Sequence, residues 1–217
     1  MTDPSLSWVG GQMGNVGMAV TGGLPVRQAK RLQTRERLFG AAIAEFKRAG
    51  MAEADVGAIV AAAGVAHGTF FFHFPTKEHV LLELETREEA RVAGQFAKFV
   101  SDNHDILPAL KEATRLVMAL ERRLGPVLFK DVLALHFSQT RPPGEAGEDH
   151  PLIVLVAGEF QLAQDRGDVA PDVNPMNSAV FFLLGLYGLL TTMNAWATRD
   201  AVIADYLTRT LRSLQAR

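Results

Sequence analysis

Between Ala66 and Lys77 the chain reads "AHGTFFFHFPTK", which sets two imidazoles (His67, His73), a hydroxyl (Thr69) and an ammonium (Lys77) among four phenylalanines. Such groups donate hydrogen bonds to phosphate oxygens and base edges, and the Thr69 methyl can also meet a thymine methyl. Gly68 lacks a side chain and lets the backbone come close to an external surface. Enzyme chemistry finds little footing here. The sequence has no Gly-rich phosphate loop, no G-x-S-x-G, no paired histidines on a helix and no cysteine.

The elements that must position these groups read as helices. In "QTRERLFGAAIAEFKRAG", Gln33 to Gly50, residues Leu38, Ala42 and Phe46 recur every four positions and a glycine ends the run. Asp55 can cap "VGAIVAAA", with Ile59, Val60 and Ala63 on one face, before Gly64 breaks it. The segment "VAHGTFFFHF" follows after a turn and stops at Pro75, because proline disfavours helical geometry in the residue before it. Two short helices joined by a glycine turn form a helix-turn-helix. Val65, Phe70 and Phe74 should face its core, leaving His67, Thr69, Phe71, Phe72 and His73 exposed. Thr76 is placed to cap a long helix of more than twenty residues. Further helical patterns run over 106–124, 126–139, 151–166, 177–198 and 200–215, with no alternating strand pattern. The expected fold is all-α with about nine helices: a flexible tail (1–26), a three-helix head that contains the helix-turn-helix (27–79) and a helical body (80–217).

The stretch "TRERLFGAAIAEF" followed by "DVGAIVAAAGVAHGTFFFHFPTKEHVL" resembles the N-terminal domain of the TetR family of bacterial transcriptional repressors. The likeness covers about fifty residues, Thr34 to Leu84, and rests on G-V-x-x-G-T followed by H-F-x-x-K. It implies a homodimeric, ligand-responsive regulator that binds a palindromic operator in double-stranded DNA. It also implies that His67 lies near bases and that His73 and Lys77 contact phosphate, Lys77 from a helix N-terminus suited to anions. The DNA-facing set is then Arg31, Arg35, Asp55, His67, Gly68, Thr69, Phe71, Phe72, His73 and Lys77. Phe71 departs from the family's usual tyrosine and has no phenol to offer phosphate. Gly57, Ala61 and Ala62 replace frequent charges, and Glu45 replaces a leucine.

Charge follows the same division. Residues 27–79 carry eight Lys/Arg against five Asp/Glu, a net +3, whereas residues 80–217 carry fourteen against eighteen, a net −4. A basic head on an acidic body suits polyanion binding at one end. Arg27, Lys30, Arg31 and Arg35 are the cations available to follow the DNA backbone or minor groove, and so few predict a shallow salt dependence. The first 26 residues lack the charged start and apolar run of a signal peptide, and the absence of cysteine fits a cytoplasmic protein.

In the body, Met118, Phe129, His136, Phe137, Phe160 and Trp196 are candidates for a mostly apolar effector pocket with one polar group. His136, Glu148, Asp149 and His150 have no ligand spacing that fixes a metal, so neither metal nor cofactor is expected. "AVFFLLGLYGLL" is too short for a membrane span before Thr191, Thr192 and Asn194 interrupt it, and reads as a helix buried between core and partner. Phe181, Leu184, Gly185, Gly188, Tyr206 and Thr210 are the expected dimer surface. The rival reading is a helical scaffold or small-molecule-binding protein without specific DNA binding.

Overall fold

The computed structural model describes residues 25–102, 105–139, 141–142, 150–193 and 196–214. The expected tail up to Leu24, the charged loop with Glu148 and Asp149, and Asn194 lie outside the described residues. In order, the helices are α1 (Val26–Ala49), α2 (Val56–Ala63), α3 (His67–His73), α4 (Lys77–Val100), α5 (Ile106–Leu124), α6 (Pro126–His136), α7 (Pro151–Asp165), α8 (Pro175–Thr192) and α9 (Arg199–Leu214). No strand occurs among the described residues.

The first helix is longer than its apolar periodicity indicates. It starts at Val26 rather than Gln33, because "RQAKRLQ" consists largely of good helix formers, although all of its residues stay exposed. Arg27, Lys30 and Arg31 therefore stand on a helix. The α8 helix ends at Thr192, short of the expected Thr198. α6 also stops early, at His136.

Leu38, Ala42 and Phe46 of α1 pack with Ile59, Val60 and Ala63 of α2 and with Phe70 and Phe74 around α3. Asp55 accepts the Gly57 N–H at 2.8 Å, capping α2. Gly64 sits at φ 64°, ψ 43°, and its N–H reaches back to the carbonyls of Val60 and Ala61. A left-handed residue there closes α2 and lets α3 leave at 95° to it. Glu45, unexplained by sequence, accepts from Arg48 at 2.5 Å and from the Asp55 N–H at 3.3 Å. The Arg48 hydrogen bond, helped by that N–H, holds its carboxyl at about 2. It thus ties α1 to the start of α2.

α4 runs from this head into the body, where α5, α6 and α7 pack against it and α7 lies along α8. The apolar core is continuous from head to body, through Val80, Leu81, Leu84, Val92 and Phe96 of α4. The tip of α1 also touches the body: the Met51 N–H donates to Asp131 at 2.7 Å, and Lys47 donates to the Arg123 carbonyl at 2.8 Å.

Candidate nucleic-acid interface and ligand cavity

α3 presents His67, Gly68, Phe71 and Phe72 to solvent, with Thr69 half-buried. Phe71 is 48% exposed and Phe72 68%, while Phe70 and Phe74, four residues apart, are fully buried. A methyl group added at Gly68 would meet nothing within 4 Å. Packing within the chain therefore gives no reason for glycine at that position, although glycine costs a helix about 1 kcal/mol relative to alanine. The Phe71 ring stands edge-on to Phe70 at 5.3 Å and lies 6.0 Å from His67. Arg31 on α1 reaches over the Phe72 ring at 5.3 Å, which brings one exposed cation beside the exposed face of α3.

Three residues of the expected DNA-facing set are placed differently. His73 is buried, 8% exposed, because it follows Phe70 by three residues and shares its side of the helix. Burial first, then Arg35 and Arg31, push its imidazole below the usual histidine range. Arg35 is occupied inside the head: it donates to the His73 carbonyl and to Glu83, 2.5 Å away, and lies 4.1 Å over the Phe74 ring. Lys77 folds back to donate to the carbonyls of Ala52 at 2.7 Å and Ala54 at 3.3 Å. Asp55 serves as the cap of α2. Thr76 precedes α4 as expected, but its hydroxyl pairs with His79 instead of an amide.

The sequence pattern of bacterial regulatory proteins of the tetR family matches residues 38–84, the segment that builds this interface. The HTH-type transcriptional regulator UidR of Escherichia coli (strain K12) is 24% identical over 170 residues, 77% of this chain and 85% of UidR. Residues 38–84 thus carry the N-terminal pattern of the tetR family of bacterial regulatory proteins, and the chain is similar to its members. Its described residues fold into helices joined by turns, without a strand, as in the TetR fold. The A-factor receptor protein of Streptomyces griseus is 25% identical over 170 residues, 75% of this chain and 56% of the receptor. In fold, the chain is similar to Thermus thermophilus FadR, a TetR-family repressor solved with lauroyl-CoA. The TM-score is 0.60 at 24% identity, covering 82% of this chain and 91% of FadR.

Regulators of the TetR family respond to small molecules, and this chain has an internal cavity in its body. Leu84, Glu85, Glu88, Glu89 and Val92 of α4 form one wall, Leu120 and Leu124 of α5 another. Phe129, Val132, Leu133 and His136 of α6, with Leu152 of α7 and Tyr187 of α8, complete it. Phe129 and His136 were expected there. The other four sequence candidates lie elsewhere: Phe160 is fully buried in the core, Met118 packs against that core, and Trp196 is 59% exposed. Phe137 turns outward to a shallow hollow with Leu184, Tyr187 and Gly188. Sequence reading missed Glu85, Glu88 and Glu89, which look like an ordinary solvated helix face until α5, α6 and α7 cover them.

Glu85 is the most buried of these acids. His136 donates from Nδ1 to its Oε1 at 2.5 Å, and Arg141 donates to the same oxygen at 2.9 Å. Its other oxygen, Oε2, is buried and accepts no hydrogen bond. His150 lies against Glu89 at 3.2 Å, and its ring is 4.9 Å from that of His136. Among the described residues no group of acids and histidines is arranged to hold a metal ion.

Of the expected dimer residues, Phe181 is 70% exposed and Leu184 43%, with Gly188 beside them. Gly185 and Tyr206 instead pack on each other. A Cβ at Gly185 would come within 2.4 Å of the Tyr206 hydroxyl, which donates to the Phe182 carbonyl at 2.8 Å. On the neighbouring α7, Val154 and Leu162 are exposed as well. By length and composition α8 could cross a membrane. One side of it, however, carries Phe182, Leu183, Leu186 and Leu190 into the core.

Proposed function

We propose that the chain is a TetR-family repressor that binds a palindromic operator as a homodimer in the cytoplasm and is released by a small, mostly apolar effector. The observation that carries the DNA-binding half is the outer face of α3. Two exposed phenylalanines and an open glycine there cost stability, and a surface brought against the helix would repay it. Residues 27–79 act as the head and 80–217 as the body. His67, Thr69, Phe71 and Phe72 meet the major groove, with Gly68 admitting the backbone. Arg27, Lys30 and Arg31, exposed on α1, meet phosphates. Arg35, His73 and Lys77 act indirectly by fixing α3 and the α1–α2 loop.

The dimer reading rests on Phe181, Leu184, Val154 and Leu162, large apolar side chains left exposed on α7 and α8. A second copy burying them would place two copies of α3 on one side of the assembly. They must stand about 34 Å apart to enter successive major grooves.

The cavity encloses about 70 Å³, against roughly 300 Å³ or more for typical small-molecule sites. An effector therefore enters only by spreading α4 and α6. Both helices hold the head: α4 continues from α3, and Asp131 of α6 accepts the Met51 N–H. Spreading them moves α3 relative to its copy. The effector releases DNA to the extent that it binds this spread state more tightly than the closed one.

Selecting bound fragments from a random DNA pool tests this function. An enriched palindrome is expected, and its capture should be lost in the double variant His67→Ala, Thr69→Ala. Failure to enrich any sequence, or capture unchanged by that pair, would remove α3 as the reading element.

A further inference from the structure

The chemistry of the cavity wall also says which end of an effector it accepts. Glu85, Glu88 and Glu89 line it, and among the described residues no Lys or Arg does. The guanidiniums that balance these acids, those of Arg91, Arg123 and Arg141, approach from outside the lining. Two donors crowd Oε1 of Glu85 while its buried Oε2 accepts none. A buried acceptor without a donor costs free energy that a ligand can recover. The remaining wall is apolar: Leu84, Val92, Leu120, Leu124, Phe129 and Leu133. The Tyr187 phenol on the same wall is kept protonated, by burial first and then by the charges of Glu89 and Glu85. The interior thus disfavours a further anion.

We infer that the cavity takes an amphipathic amine, its apolar body among the leucines and its protonated nitrogen donating to Glu85 Oε2, and that it rejects carboxylates and acyl-CoA thioesters. The inference rests on the effector reading above and specifies its ligand class. An ammonium carries both the donors and the positive charge that the open oxygen of the Glu85 carboxylate favours, an alcohol only a donor, and a carboxylate neither. Glu85 is then the specificity-determining residue.

Octylamine, octanol and octanoate share one apolar chain and differ only in the head, so titrating each into the full-length protein at pH 7.5 by calorimetry isolates the head. The amine should bind at least tenfold more tightly than the acid and measurably more tightly than the alcohol. In Glu85→Gln, which keeps the shape of the side chain, the three should fall within about threefold of one another. Should the alcohol or the acid equal the amine in the wild-type protein, the proposal is overturned while the effector cavity stands. If none of the three binds and none releases operator DNA, the effector reading fails with it. An amine preference that persists in Glu85→Gln would overturn the assignment of Glu85. The wild-type comparison remains decisive even if that variant folds poorly.

Discussion

Arg35 on α1 lies 2.5 Å from the Glu83 carboxylate on α4, and through its other nitrogen it closes the C-terminal carbonyl of α3 at His73. One side chain therefore holds three helices of the head in register, with its plane over Phe74. Removing it leaves that carbonyl without its charged donor and Glu83 with Arg87 as its remaining guanidinium partner. Arg35→Ala is expected to lower stability by about 1–2 kcal/mol, the range for charged hydrogen bonds discounted for partial exposure. DNA affinity should fall alike for specific and non-specific sequences, since α3 loses its seat rather than a base contact. Thermal unfolding and binding to two unrelated duplexes measure both effects; an unchanged midpoint would show that solvent replaces the guanidinium freely.

Gly68 separates stability from recognition. Nothing within 4 Å opposes a methyl group there, and its backbone lies outside the positive-φ region. Gly68→Ala should therefore stabilise the free protein by about 0.5–1 kcal/mol through helix propensity. The same methyl would stand between α3 and the DNA backbone, so operator affinity should fall at least tenfold. A variant that is more stable and binds equally well would mean that α3 never approaches DNA at that residue.

The sequence made the frame of the head legible because its determinants are local. The four-residue spacing of Phe70 and Phe74, the Asp55 cap and the Gly64 stop each act within a few positions. For His73 the local cue, its three-residue offset from Phe70, points inward and outweighs the polarity that suggests exposure. The partners that engage Arg35 lie 38 and 48 residues away, and no periodicity reveals them. The cavity acids were illegible for the same reason: Glu85, Glu88 and Glu89 are ordinary helix-forming residues until non-local packing encloses them. Gly185, expected at the dimer surface, is instead a site of close approach within the chain, where Tyr206 packs on it.

Burial of His73 makes the head acid-sensitive. Its pKa is lowered by burial and by Arg35 and Arg31, so the folded state prefers neutral imidazole while the unfolded chain takes a proton near 6.5. Below that pH the unfolded state binds more protons, and stability falls as pH drops from 6.5 through the lowered folded pKa. Above 6.5 this contribution is complete and flat. Unfolding midpoints between pH 5 and 8 should decline on the acid side in the wild-type protein. The slope between 6.5 and 5 should be shallower in His73→Gln, and identical slopes would move the acid response to other groups.

Phe71 poses the most direct test of α3 as the reading element. Its ring is half-exposed and braced edge-on by Phe70, so a hydroxyl added at its tip should leave stability nearly unchanged. If the ring faces a phosphate, Phe71→Tyr supplies one hydrogen bond to a charged oxygen and should tighten operator binding by about 1.5 kcal/mol or less, up to roughly tenfold. A phenol is neutral and displaces no counterion, so the gain should be the same at low and high salt, unlike that of an added arginine. Titrations at two ionic strengths separate the cases. Equal gains at both place phosphate at Phe71; no gain at either would turn this ring toward sugar or thymine methyl, where a hydroxyl has no acceptor to find.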